Sequence, residues 1–348
     1  MIQKNPPNKE IETFLQSTDH FIYHTPLFRQ FIETSFSCNY QLICSYEKDK
    51  ISALLPVVKI TSKIFGNRLI SVPYQEYGGF CGDSSTLPKL LNFIQNEHRK
   101  GTEFLEIKGS IIPKLNPSDS LCKKSSLQKA DRYKRFVLPL SSEEEVWKNI
   151  QKSKRKAVKK AQKAGVCRIL TTSDLNEFYK LYLENMRRFG SPPYSKQYFI
   201  NFFEIIETKG YGKIYGTFIE GKLASALLGF TYNKRVHITT AISNPKYAAA
   251  RPSDLMHWKF ITWAIENHYQ SFDFGLVREE SGQFEYKRKW GAKLQELPSF
   301  FLALKTQEIP TLLDPSNNKY KLAIKIWQHL PLKFTELMGM SIRKKLGM

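Results

Sequence analysis

Apolar residues recur at helical spacing in the first part of the chain's second half. A capping box of Ser142 and Glu145 predicts one helical stretch that runs to about residue 164 and ends at Gly165. A short strand at 166–171 follows. The next helix, at 174–189, carries apolar side chains at steps of three and four residues: Leu175, Phe178, Leu181, Tyr182 and Met186.

An extended pattern then replaces the helical one. After a helix that begins at Ser195, three strands are predicted at 213–219, 223–232 and 235–242, with turns at Glu220-Gly221 and Asn233-Lys234. The remaining predicted elements are a helix opened by Pro252-Ser253, a short strand at 271–274, a helical turn at 284–290 and a strand at 295–304.

The first half repeats this order of elements. The run KDKISALLPVV is similar to EGKLASALLGF. Phe104 matches Phe272, and these two residues are separated along the chain by nearly the same distance as the two runs. Two alignments in the same element order predict a tandem repeat of one domain. We therefore expect an α/β fold with mixed sheets, and the predicted divisions are a first domain at 1–131, a second at 132–308 and a tail at 309–348. The polar stretch 110–131 is the expected crossing between the halves.

Composition places the chain among folded proteins. It has 348 residues, of which 41% are hydrophobic and 13% aromatic, and this excludes disordered, collagen-like and disulfide-rich mini-proteins. Its cysteines are odd in number and form no CxxC pair: Cys38, Cys44, Cys81, Cys122 and Cys167. A reducing compartment without structural zinc fits this pattern. No leader-like or membrane-spanning apolar run occurs, so we expect a cytoplasmic protein.

The net charge of +21 indicates an anionic partner. Its densest part is the run 148–168, which holds nine basic residues and no acid. On a helix most of these side chains share one broad face, which includes Arg155 and Lys156. A solvated basic face and a track for an RNA backbone or pyrophosphate are both open interpretations, and the absence of acids favours the second.

Known catalytic signatures are absent from the sequence. It contains no G-x-S-x-G elbow, no phosphate-binding P-loop and no G-x-G-x-x-G after a strand. His20 and His24 have helical spacing but no glutamate between them, so ordinary histidines are favoured over a zinc pair.

The segment 272–291 is the second candidate for chemistry. A short buried strand carries Asp273, and a glycine-containing loop leads to an aromatic and basic turn around Lys287. Lys287 is placed to hold a phosphate or an oxyanion. The competing interpretation is that the aromatic residues Phe284, Tyr286 and Trp290 form core.

Several of these motifs resemble one family. They are SKRKAVKKAQKAGV at 153–166, NMRRFGSPPYSKQYF at 185–199, RPSDLMHWKFITWAIE at 251–266, FDFGLVREESGQFEYKRKWGA at 272–292 and KIFGNRLISVPYQEYGG at 63–79. Over about residues 20–308 the chain resembles Fem-type GNAT proteins, the aminoacyl-tRNA-dependent transferases that build peptidoglycan cross-bridges, and in particular FemAB-like proteins of exopolysaccharide loci. The resemblance implies two tandem GNAT-like domains and acyl transfer to an amine.

The same resemblance implies site residues and substrates. Lys287, after Tyr286, matches the lysine that supports the reacting centre in similar proteins, and Asp273 completes the catalytic candidates. The substrate-binding candidates are Arg155, Lys156, Arg188, Arg251, Ser253 and Tyr77. No metal or bound cofactor is expected, and the acceptor implied is an anionic cell-envelope precursor.

One departure from the GNAT pattern bears on the donor. The loop that binds the CoA pyrophosphate in many GNATs, [RQ]-x-x-G-x-[GA], corresponds to 247–254 here, where no glycine occurs. Arg251 and the helix N-terminus at Ser253 remain candidates for a phosphate. Aminoacyl-tRNA is therefore the favoured donor. A CoA-dependent N-acetyltransferase acting on an amino sugar, and a non-catalytic RNA or membrane-surface binder, stay open as alternatives.

The tail, residues 319–348, interleaves seven basic residues and one acid, Glu336, with apolar ones. Pro331 divides it into two amphipathic pieces. Such a segment lies in a membrane interface or packs on a domain. We expect peripheral contact with the inner face of a membrane, slightly ahead of packing alone.

Overall fold

The computed structural model describes residues 1–63, 65–109, 127–279, 281–305 and 318–347. The chain divides into two compact units. The first comprises Met1–Arg132, Leu297–Lys325 and Met340–Met348, and the second comprises Tyr133–Glu296 and Ile326–Gly339. Cys122 and most of the predicted crossing, 110–126, lie outside the described residues.

The strands are β1 (Ile2–Lys4), β2 (Tyr40–Glu47), β3 (Lys50–Ile60), β4 (Arg68–Ile70), β5 (Cys81–Gly82), β6 (Phe104–Ile107), β7 (Leu127–Pro139), β8 (Gly165–Ile169), β9 (Gly212–Ile219), β10 (Lys222–Tyr232), β11 (Arg235–Ser243), β12 (Ser271–Val277) and β13 (Lys293–Ala303). The α-helices are α1 (Asn8–Gln16), α2 (Pro26–Phe36), α3 (Leu87–His98), α4 (Glu143–Asn149), α5 (Lys152–Ala164), α6 (Leu175–Phe189), α7 (Lys196–Asn201), α8 (Pro252–Glu266), α9 (Gly282–Arg288), α10 (Asn318–His329) and α11 (Leu332–Leu346).

The first unit is a mixed sheet covered by helices. Its strand order is β1-β2-β3-β4-β6, and the part of β13 from Leu297 follows β6. Neighbouring strands are antiparallel except for the parallel pair β4 and β6. Helix α3 buries an apolar stripe against this sheet: Leu87, Leu90, Leu91 and Ile94. His24 is a satisfied core histidine, since its ring contacts the N–H of Phe21 and the carbonyl of Gly79.

The second unit has the same architecture. Its order is β8-β9-β10-β11-β12, followed by the part of β7 from Tyr133, and β11 with β12 is the parallel pair. The matched strands agree in length, because β3 and β10 both have 11 residues and begin at Lys50 and Lys222. The predicted tandem α/β repeat is thus confirmed. Its core lies between α8 and the sheet, with Phe260, Ile261 and Phe272 fully buried.

The strand that closes each sheet differs from the sequence expectation. The strand predicted at 295–304 was assigned with the second domain, but from Leu297 it belongs to the first unit, where Phe300 pairs with Ile107. The second sheet is closed by β7, which precedes it in the chain and pairs Leu138 with Phe272. Alternating polarity predicts that a strand forms but not which sheet edge it joins.

The helix predicted from 142 to 164 is broken, so that expectation was wrong. Ile150 leaves the helical conformation at ψ 137°, and α4 ends there before α5 begins at Lys152. Two contacts explain the break: the Ile150 side chain is buried in the core, and the Gln151 N–H donates to the carbonyl oxygen of Lys289 at 3.1 Å. Tertiary burial here overrides local helix propensity.

The tail forms α10 and α11, with Trp327 and Thr335 buried in the second unit. In the first unit, Arg68 Nη2 donates to the Lys345 carbonyl at 2.7 Å and Lys108 Nζ to the Gly347 carbonyl at 3.0 Å. These cations satisfy carbonyls at the C-terminal end of α11, where positive charge is favourable. Among the described helices, none is long and apolar enough to cross a membrane.

Candidate active site

The parallel strands β11 and β12 separate part-way along their length. They pair only over Arg235–His237 and Ser271–Asp273. Just beyond, a bulge shifts the register of β11 against β10 between Ile238 and Thr240. A second bulge interrupts the pairing of β12 with β7 between Asp273 and Leu276. Because a bulge bends its strand, we infer that β11 and β12 diverge beyond this short ladder, and the gap between them is called the cleft below.

Asp273 and Lys287 stabilise the β12 side of this cleft. The Asp273 carboxylate accepts from the Gly275 N–H at 2.9 Å and from Arg135 Nη1 at 2.7 Å. This bond holds Gly275 at φ +74°, the left-handed region that glycine tolerates best. Lys287, on α9, donates from Nζ to the carbonyl oxygens of Gly275 at 3.0 Å and Leu276 at 2.9 Å. The bulge therefore presents backbone oxygens that fix a lysine ammonium beside the cleft.

The N-terminus of α8 carries a buried ion cluster. Asp254 lies in its first turn and is buried, with Lys154 Nζ at 2.5 Å and Arg251 Nε at 2.9 Å from its carboxylate oxygens. Arg251 is the N-cap at φ +63°, and Pro252 follows as the first helical residue. Pro252 has no N–H, and Asp254 engages the two nearest cations. Two features that help a helix N-terminus to bind a pyrophosphate, an N–H at the first helical position and uncommitted cations, are thus missing or occupied.

Lys154 reaches this cluster from α5. It shares the buried face of that helix with Ala157, Val158 and Ala161. Its ammonium also lies 3.2 Å from the centre of the Tyr286 ring, a cation–π contact. Burial lowers the pKa of Lys154 to about 8, against the opposing effect of the Asp254 carboxylate.

Tyr286 and His257 meet at one backbone oxygen. The Tyr286 hydroxyl donates to the Ser253 carbonyl at 3.2 Å and lies 3.1 Å from His257 Nδ1. His257 Nδ1 is itself 2.7 Å from the same carbonyl, so the Nδ1-protonated tautomer satisfies the group. Burial lowers the pKa of His257 to about 4 and raises that of Tyr286 well above its ordinary value. Both side chains are therefore neutral at pH 7.

The outer face of α5 is strongly cationic. Arg155 is half-buried there. Five lysines are exposed: Lys152, Lys156, Lys159, Lys160 and Lys163. No acid occurs along α5. This face, called the α5 basic face below, is opposite to the side on which Lys154 is buried and α5 packs along α8.

The predicted site residues divide into groups. Lys287, Tyr286, Asp273, Arg251 and Ser253 lie around β12 and the N-terminus of α8, as described. Arg155 and Lys156 belong to α5.

Two predicted residues lie elsewhere. Arg188 is exposed at the end of α6, where its Nη2 donates to Asn185 Oδ1 at 2.5 Å and to the Ser243 carbonyl at 3.3 Å. Tyr77 is buried in the first unit among aromatic rings, with its ring centre 5.1 Å from that of Phe21 and 6.1 Å from that of Tyr23.

Sequence reasoning missed Lys154, Asp254 and His257. A signal existed for Lys154, since it falls on the apolar stripe of α5 rather than on the basic face. Asp254 and His257 carried no local signal, because their roles depend on partners 100 and 29 residues away in the chain.

The comparisons with known proteins concern the fold and the part of the chain that carries these residues. Residues 148–288 match the family model described as an acetyltransferase (GNAT) domain. This range contains α5, the cleft, α8 and Lys287. No curated protein sequence matches the chain.

Solved structures extend the likeness in fold to most of the chain. FemX superposes with a TM-score of 0.68 at 12% identity, covering 86% of this chain and 97% of its own. L-PGS from Bacillus licheniformis superposes with a TM-score of 0.57 at 12% identity, covering 94% of this chain and 99% of its own. A tandem GNAT protein from the clavulanic acid biosynthesis pathway superposes with a TM-score of 0.53 at 6% identity, covering 88% of this chain and 100% of its own. Residues 148–288 therefore match a GNAT acetyltransferase domain, and the chain shares its fold with FemX and with a tandem GNAT protein.

Proposed function

We propose that the second unit transfers an aminoacyl group from tRNA onto an amine of an anionic cell-envelope precursor. The observation that carries this proposal is that the β11–β12 ladder ends at Asp273 and that the next residues of β12, Gly275 and Leu276, hold the Lys287 ammonium within the range that matches a GNAT domain. The envelope acceptor is supported by the resemblance to Fem-type proteins and by the shared fold with FemX.

The chemistry needs a positioned amine and a stabilised oxyanion. A neutral acceptor amine attacks the ester carbonyl of the donor, and negative charge develops on the carbonyl oxygen. The ester C–O bond then breaks, and the ribose hydroxyl of the tRNA leaves with the proton that the amine gives up. Lys287 supplies fixed positive charge for that oxyanion, because two carbonyl oxygens hold its ammonium in place before the reaction. Tyr286 precedes Lys287 on α9, and its anchoring to Ser253 and Lys154 keeps this helix in position.

Aminoacyl-tRNA is the favoured donor for two reasons. The N-terminus of α8 offers a poor site for a CoA pyrophosphate, since Asp254 holds the cations there and Pro252 lacks an N–H. The α5 basic face of the same unit offers several exposed lysines to a phosphate backbone. An acyl-CoA donor is the second candidate. The family match to acetyltransferase domains and the half-exposed Arg251 guanidinium favour it.

The deciding experiment compares donors with the purified chain. Radiolabelled aminoacyl-tRNA or acetyl-CoA is incubated with a nucleotide-linked peptidoglycan precursor or an amino sugar, and labelled product is counted. We expect transfer from tRNA, reduced about 100-fold or more by Lys287→Met, which removes the charge at the cleft. Arg288→Gln is the matched control, because Arg288 lies on the same helix but pairs outward with Glu285.

Two outcomes would contradict the proposal. Transfer from acetyl-CoA alone would show that the donor is wrong. No transfer from either donor, together with tight tRNA binding, would identify a non-catalytic RNA-binding protein.

A further inference from the structure

The tail leaves an apolar face uncovered. Half of the large apolar side chains that are exposed in the described chain lie within 318–347. Four of them belong to the second unit and are called the tail face: Ile326, Phe334, Leu337 and Met338. Phe334, Leu337 and Met338 are spaced at three and four residues, so they project from one side of α11.

The opposite side of the same helices is anchored. Thr335 is buried, and the space beside Gly339 is filled by the Pro193 ring. Gln328 Nε2 donates to the Arg188 carbonyl at 2.8 Å, and Trp327 is buried. Since these contacts fix the rotation of the helices, the exposure of the tail face is part of the folded structure.

Two cations lie beside the tail face. Lys333 is exposed next to Phe334, and Arg188 is exposed on the underlying α6. Glu336 is the only acid within 319–348, and it lies near the buried Tyr179 hydroxyl, whose pKa is raised by burial first and then by this carboxylate. An exposed apolar stripe flanked by cations suits the interface of an anionic bilayer, where apolar side chains enter between headgroups and lysines meet phosphate.

We propose that the tail face docks the enzyme on an anionic lipid bilayer. Leu337, at 79% exposure, is the most protruding of its apolar side chains. A protein partner for such a face would need acids to match Lys333 and Arg188, whereas an anionic bilayer supplies the opposite charge over its whole surface. The inference is independent of the proposed reaction: a chain that transfers acyl groups but ignores lipid would refute only the docking.

The test is cosedimentation of the full chain with vesicles of phosphatidylcholine, alone or with about a third phosphatidylglycerol. We expect binding to the anionic vesicles and little to the neutral ones. Combining Phe334→Ser with Leu337→Ser is expected to weaken binding about tenfold or more, because both side chains lose their burial in the interface. Neither substitution changes the charge, so attraction through the α5 basic face is the same in both proteins.

Val166→Ser is the matched control, since Val166 is 68% exposed in the same unit but lies away from the tail in sequence. It should bind like the parent chain. Equal binding by the double variant and the control, or no binding by the parent, overturns the proposal. A parent dimer that the double variant converts to monomer in light scattering would assign the face to a second copy of the chain and overturn it too.

Discussion

The buried ion cluster at the start of α8 makes Lys154→Met a strong test of the site's construction. The substitution keeps the length and apolar stem of the side chain but removes the ammonium that lies 2.5 Å from Asp254 and 3.2 Å from the Tyr286 ring centre. Breaking a buried ion pair by removing one partner costs about 3–5 kcal/mol, because a charge stays behind in a poorly solvated place. Arg251 still contacts Asp254, so we expect the free energy of unfolding to fall by about 3 kcal/mol, the lower end of this range.

The assay is urea unfolding followed by tryptophan fluorescence. All five tryptophans belong to the second unit, so the signal reports the unit that contains the cluster: Trp147, Trp258, Trp263, Trp290 and Trp327. We expect the unfolding midpoint of Lys154→Met to fall markedly. The exposed Lys156→Met, on the same helix, should change the free energy of unfolding by no more than about 0.5 kcal/mol.

A double variant distinguishes ion pairing from simple packing. Adding Asp254→Leu to Lys154→Met removes the stranded carboxylate, so most of the lost stability should return. The reasoning is refuted if Lys154→Met unfolds like Lys156→Met, or if the double variant is as unstable as the single one.

Two further predictions concern pH and salt. Burial lowers the pKa of His257 to about 4, so between pH 6.5 and pH 4 the unfolded state binds the proton more readily than the folded state. We expect the free energy of unfolding to fall over this range by about 2–3 kcal/mol for this group. In urea unfolding at pH 7 and pH 4.5, the free energy of unfolding of His257→Gln should fall correspondingly less between the two pH values than that of the parent chain. An equal fall would refute the burial argument. On the α5 basic face, replacing Lys156, Lys159 and Lys160 by Gln should reduce the slope of log K against log salt for tRNA by about 2. An unchanged slope in a filter-binding titration would place the tRNA elsewhere.

Much of the fold was predictable because its signals are local. Strands β9 and β10 follow from alternation and turn residues, since the strands predicted at 213–219 and 223–232 match them closely. The segment around Lys287 was found because an aromatic and basic turn after a buried strand is unusual. What the pattern predicted poorly were the ends of elements: β12 extends to Val277, past the predicted 274, because the Asp273 side chain supports a bulge there.

The sequence by itself determined the tandem α/β repeat, the cationic α5 and the identity of the segment that carries Lys287. These depend on periodicity and charge, which are properties of neighbouring residues. Only the tertiary structure decided which strand closes each sheet, why the helix breaks at Ile150, and that Lys154 is buried on Asp254 instead of joining the other lysines in solvent. The physical reason is that burial and pairing depend on partners distant in the chain, and the desolvation of a charge can be judged only when those partners are in place.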